Sequence, residues 1–206
     1  MRRHRRKFPL MTYVHKTALR VLLVALVSAT AACTGSLYKV KPPAALSRMP
    51  SNAASVNLGS VSFQAAPLLT DEETQELFES NLQLAGLLPV RIAINHNGGD
   101  PIELKKLRFQ LHDASGAEWK VISAKQAISR ILKANDIYLY NPHSRKTFEK
   151  EFRAYELDLK TPLTRAEGRR EGLLIFLSAK KDPVASPPNL VLTIAGLPQP
   201  VSLNLN

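Results

Sequence analysis

One cysteine, Cys33, occurs in the 206 residues. An intramolecular disulfide is therefore excluded, and so are the Cys-x-x-Cys arrangements of thiol redox enzymes and zinc sites. Acidic residues are missing from the first 70 positions, although the chain holds 17 in all. Also absent are G-x-S-x-G, H-E-x-x-H and a phosphate-binding Gly-rich loop with Lys. Their absence removes the usual marks of serine hydrolases, zinc proteases and P-loop enzymes. The sequence thus predicts no catalytic residue, no metal site and no cofactor. No apolar run reaches the ~20 residues that a membrane-spanning helix needs.

What is present is a short apolar run, Val21 to Ala32, ending at Cys33. Seven bases (Arg2, Arg3, Arg5, Arg6, Lys7, Lys16 and Arg20) precede it, and small residues fill the positions before the cysteine. Basic flank, short apolar stretch and small-residue cleavage site are the order of a secretory signal. The stretch Thr30-Ala31-Ala32-Cys33 resembles the lipobox of bacterial lipoproteins, with Thr30 where Leu is usual.

That resemblance implies cleavage between Ala32 and Cys33, diacylglycerol on the Cys33 thiol, and acyl chains such as palmitate at the new amino terminus. Two or three chains anchor firmly, since each buried methylene contributes about 0.8 kcal/mol and one chain alone holds only reversibly. It also implies attachment to the bacterial cell envelope, at the outer membrane and facing the periplasm, because Thr34 lacks the carboxylate with which an Asp at this position retains a lipoprotein in the inner membrane. Two starts remain open. Met1 keeps Arg5-Arg6-Lys7-Phe8, which partly resembles a twin-arginine export motif, whereas Met11 deletes the arginine pair. Pro9 and the missing cofactor motif favour ordinary secretion.

A net charge of +11 suggests a nucleic-acid binder until position is considered. Ten bases lie in residues 1–70, which leaves 18 bases against 17 acids in residues 71–206. The sequence therefore predicts no nucleic-acid partner. Lys39, Lys41 and Arg48 fall in a stretch with Pro42-Pro43 and Pro50, read as a lipidated flexible tether over residues 33–55.

For residues 56–206 the pattern predicts one mainly β domain, an antiparallel immunoglobulin-like sandwich with one to three short helical insertions, preceded by a signal peptide (residues 1–32) and the tether. Val56 to Ala65 reads as a first strand with a bulge at Gly59-Ser60. Thr70-x-x-Glu73 and Ser123-x-x-Gln126 are capping boxes opening two amphipathic helices. Leu88 to Asn95 alternates as a strand, Asn97-Gly98-Gly99-Asp100 supplies a hairpin turn, and Ile102 to His112 returns with a bulge near Lys105-Lys106. Residues 137–160 read as helix giving way to strand. Gly172 to Leu177, Asn189 to Ala195 and Val201 to Leu205 close the set. The succession VRIAIN, turn, IELKKLRFQLHDASGAEW, then Pro162-Leu163, Gly168 and GLLIF is similar to immunoglobulin-like domains of uncharacterised bacterial lipoproteins and surface proteins. This similarity covers residues 86–206 and carries over no functional residue.

Ser178-Ala179-Lys180-Lys181 nominally matches S-x-x-K but follows a strand and runs into Asp182-Pro183, against a catalytic reading. His96, His112 and His143 lack ligand spacing and read as turn or surface residues. Trp119 reads as a core anchor. The clusters Lys105-Lys106-Arg108, Arg145-Lys146 and Arg169-Arg170 are interleaved with acids, the pattern of a solvated surface. Tyr138 and Tyr140, beside Pro142 and Arg145, form a candidate partner-contact patch of the aromatic-plus-Arg type. Together these features predict a non-enzymatic interaction or structural module whose partners are membrane lipid, through acylated Cys33, and an envelope protein. An exported envelope hydrolase without a recognisable motif and an accessory subunit of an envelope assembly are the alternatives.

Overall fold

A computed structural model describes residues 39–46, 48–134 and 142–206. The expected signal peptide, Cys33, Thr34, Tyr138 and Tyr140 lie outside the described residues.

Among the described residues eight strands form one antiparallel sheet: β1 (Ala54–Asn57), β2 (Val61–Pro67), β3 (Leu87–His96), β4 (Arg108–His112), β5 (Glu118–Ile122), β6 (Arg169–Leu177), β7 (Val191–Ala195) and β8 (Val201–Asn204). Their order across the sheet is β1-β2-β3-β6-β5-β4-β7-β8. The two end strands, β1 and β8, come into contact, so the sheet curls into a nearly closed barrel. The mainly β, antiparallel architecture expected from the sequence is present. The immunoglobulin-like sandwich is not confirmed, because a sandwich needs two packed sheets and these strands follow one another in a single curled one.

Three helices accompany the barrel among the described residues: α1 (Asp71–Phe78), α2 (Ala124–Ala134) and α3 (Pro142–Arg153). Both capping boxes form. Thr70 Oγ1 accepts from the Glu73 amide at 3.3 Å while Glu73 Oε2 accepts from the Thr70 amide at 3.1 Å. Gln126 Oε1 likewise accepts from the Ser123 amide at 3.0 Å. The stripe Ala124, Ala127, Ile128, Ile131 and Leu132 is buried as its spacing predicts.

Two apolar cores result. Leu88, Val90, Ile92 and Ile94 of β3 and Leu174 and Phe176 of β6 point into the barrel, together with Trp119 and Leu192. Leu87 of β3 and Leu173 and Ile175 of β6 point outward, where Phe78, Ile128, Phe148 and Phe152 of the helices cover them. Strands β3 and β6 are thus covered on both faces, which explains the near-continuous apolar runs LLPVRIAI and GLLIFL.

Two expected connections are corrected. Val56 to Ala65 is a hairpin rather than one bulged strand: Gly59 adopts φ +80°, its amide donates to Asn57 Oδ1, and β1 folds back on β2 with Val56 opposite Phe63. β3 and β4 do not form the hairpin that Asn97-Gly98-Gly99-Asp100 suggests. Both edges of β3 are taken, by β2 and β6, and a single 3₁₀ turn at Leu104–Lys106 redirects the chain so that β4 pairs with β5 and β7. That turn still does what the expected bulge was to do, since Leu104, Leu107, Phe109 and Leu111 all reach the barrel interior.

Within the span read as a flexible tether, residues 39–46 pack on the helices. The Lys41 amide donates to Leu77 O at 2.9 Å and Tyr155 Oη donates to Lys41 O at 2.5 Å. Val40 and Leu46 rest against the helical core.

Candidate functional site

The sheet register sets a row of polar side chains on the outside of the barrel. Gln64 of β2 lies opposite Ala93 of β3, which lies opposite Glu171 of β6. Asn95 lies opposite Ser62 on one side and Arg169 on the other. Arg91, two residues from Ala93, shares this outward face because side chains alternate along a strand. The methyl of Ala93 leaves room for Arg91 and Glu171 to meet diagonally, and Arg91 Nε donates to Glu171 Oε1. Arg169 spreads over three partners, Gln64 Oε1 at 3.2 Å, Asn95 Oδ1 at 2.8 Å and Glu171 Oε2 at 3.0 Å.

Arg91 is only 6 % exposed. A guanidinium withdrawn from water this far is costly unless a carboxylate compensates it, and Glu171 is the single carboxylate serving both Arg91 and Arg169. Leu46, Arg48 and Met49 come to the same face. Two adjoining recesses follow, one of about 270 Å³ lined in part by Leu46, Arg91 and Tyr155, the other of about 520 Å³ lined in part by Arg48, Met49, Gln64 and Arg169. Arg91 and Glu171 belong to both.

Arg170, the next residue along β6, faces the other way and shows what a fully compensated arginine looks like here. It donates to Glu167, to Asp158 O at 3.0 Å, to Thr161 O at 2.7 Å and to Pro162 O at 3.2 Å, and its side chain is 12 % exposed. It pins the loop between α3 and β6. The Thr161 hydroxyl, the Lys160 amide and Arg170 hold the Asp158 carboxyl below its ordinary range, and the Arg170 hydrogen bond lowers Glu167. Asp113 is lowered by Ser115 and by the Trp119 indole, whose Nε1 donates to it at 3.0 Å.

All three carboxyls are depressed in the folded state, so each contributes stability that is complete above its unfolded pKa, about 4, and disappears as pH falls through the folded value. Thermal unfolding should be flat from pH 7 to pH 5 and fall below pH 4. Arg170→Gln should cost about 2 kcal/mol at neutral pH, the scale for losing charged hydrogen bonds to carbonyls, and should make the acid fall shallower. Melting curves across pH for the two proteins check both points; parallel acid falls would contradict the role given to Arg170.

Of the residues the sequence singled out, Arg145 is exposed on α3 and donates to Ser129 Oγ on α2 at 3.1 Å. Its expected companions, Tyr138 and Tyr140, lie outside the described residues. His96 is corrected in one respect: it is 7 % exposed and so not a surface residue, but it does abut the turn after β3, with Nε2 3.0 Å from Asp100 O and no hydrogen-bond partner on Nδ1. His112 is half-buried at the end of β4 and His143 is exposed on α3. Ser178 is buried with its Oγ toward Asp182 O at 3.4 Å, in the turn that leaves β6 rather than at a helix start. Trp119 is in the barrel core. Among the described residues no group of three or more His, Cys, Asp or Glu is placed to hold a metal ion.

In the sequence Arg91 is one member of an alternating strand, with no motif around it that marks a site. Its signal was available as the only charge within an otherwise apolar run. No family model, no curated protein and no solved structure matches the chain.

Proposed function

We propose that the protein is an envelope lipoprotein, acylated on Cys33 after cleavage behind Ala32, which works without catalysis as an interaction or structural module on the periplasmic face of the outer membrane. The observation that supports this reading is the short apolar run closing on small residues and the chain's one cysteine. Kinship with immunoglobulin-like domains rests on strand alternation in residues 86–206. The packed segment adds a geometric consequence. The Lys39 amide donates to Glu79 Oε2, just past the end of α1, at 2.9 Å, so the stretch between an acylated Cys33 and the described fold runs only to Lys39. Extended chain covers about 3.5 Å per residue, so that stretch can span at most roughly 20 Å.

Fractionation tests the anchor. Native protein should stay with membranes through a high-salt wash, and Cys33→Ser should lose the acyl modification. An acylated Cys33→Ser protein would sink the reading.

A further inference from the structure

We propose that the recess bounded by Arg48, Arg91 and Arg169 binds a phosphate monoester group. Charge balance carries the inference. Three guanidinium groups line this face against one carboxylate, Glu171, an excess of two positive charges. Arg48 makes no ion pair with any described residue, and Arg91 and Arg169 divide the two oxygens of Glu171 between them. A structural arginine on the same strand is treated differently, since Arg170 has Glu167 and Asp158 beside it and three carbonyls as acceptors.

Geometry agrees with the charge. Arg91 of β3 and Arg169 of β6 rise from the same outer face of neighbouring strands, joined through Glu171, and Arg48, which lies outside the sheet, lines the same recess. Guanidinium groups donate as planar forks that suit the oxygens of a phosphate. A phosphate monoester, carrying a charge of about −1.5 to −2 and three strong acceptor oxygens near neutral pH, matches the excess of two. The larger recess, about 520 Å³, accommodates that group with part of what it is attached to. Gln64 and Asn95 fix Arg169 from the side, leaving it oriented before any ligand arrives. Leu46 and Met49 give the recess an apolar flank. Two sources share this chemistry, a phosphate-bearing lipid headgroup and a soluble phosphate or phosphate ester.

The test uses the full chain in non-ionic detergent at constant ionic strength, titrated with inorganic phosphate by calorimetry. Saturable binding is expected, weakened at least tenfold by the double variant Arg48→Gln, Arg169→Gln. Melting curves of that variant show whether it is folded. If it is not, Arg48→Glu alone serves, because Arg48 is exposed and outside the sheet, and it should weaken binding at least fivefold. Adding phosphatidic acid to the micelles distinguishes the sources: competition that phosphatidylcholine does not reproduce assigns the site to a lipid headgroup, and its absence assigns it to a soluble phosphate. No saturable binding at millimolar phosphate, or equal binding by a folded variant, overturns the proposal.

Discussion

Phe78→Ala should lower the unfolding free energy by about 4 kcal/mol, the scale for truncating a fully buried phenylalanine. Phe78 ends α1 and has no exposed surface. Its ring centroid lies 4.8 Å from Phe152 of α3 and 5.0 Å from Tyr155, the latter edge-on at 67°. Phe148 extends the cluster, 5.8 Å from Phe152. These rings join α1, α3 and the chain leaving α3, so a void at Phe78 loosens three connections at once. Close-packed neighbours relax only partially and refill little of the gap. Urea unfolding checks the figure, with a lower midpoint and an unchanged slope expected. Phe78→Leu should cost less than half as much. A loss below about 1 kcal/mol for the alanine variant, far under the range for a buried ring, would mean that the helical layer contributes little to holding the barrel.

Gly172→Ala is the second large effect, about 3 kcal/mol, at the upper end of what overpacking costs. A Cβ on Gly172 would stand 2.6 Å from Leu157 Cα, 2.7 Å from Leu157 N and 3.0 Å from Tyr155 O, and all three are backbone atoms with no rotamer to escape into. The close approach has a purpose. The Leu157 amide donates to Leu173 O at 3.0 Å and the Leu173 amide to Tyr155 O at 2.6 Å, so the chain leaving α3 lies directly on β6. A methyl group pushes it off. Hydrogen exchange at the amides of Leu157 and Leu173 should quicken in the variant while amides in β7 and β8 keep their protection. Unchanged exchange at those two positions would contradict the account of Gly172.

Local features were legible in the sequence because local residues decide them. Thr70 with Glu73 and Ser123 with Gln126 announced two helix starts, and the stripe from Ala124 to Leu132 announced a buried face. The alternation of Leu88, Val90, Ile92 and Ile94 announced a strand. Pairing was not legible, since it depends on which edge is vacant: Asn97-Gly98-Gly99-Asp100 has the composition of a hairpin turn, yet β6 comes from over 70 residues later to take the edge of β3 that β4 would need. Barrel closure is a property of all eight strands and leaves no local trace. The polar face was half legible. Arg169 and Arg170 read as one solvated pair, whereas strand alternation sends them to opposite faces, one into a shared and undercompensated cluster and the other into a closed loop network. Arg48 and Met49 read as tether, because the contact that holds the preceding residues, Tyr155 Oη to Lys41 O, spans 114 positions.

In the proposed reading, Cys33 carries the membrane anchor and becomes the first residue of the mature protein. Intact mass spectrometry of protein extracted from membranes, followed by sequencing of its amino-terminal peptide, tests it most directly. The predicted result is a chain beginning at Cys33 with two or three acyl groups on that residue, and a Cys33→Ser protein without them. A chain retaining residues before Ala32, or starting elsewhere with an unmodified Cys33 thiol, would contradict it.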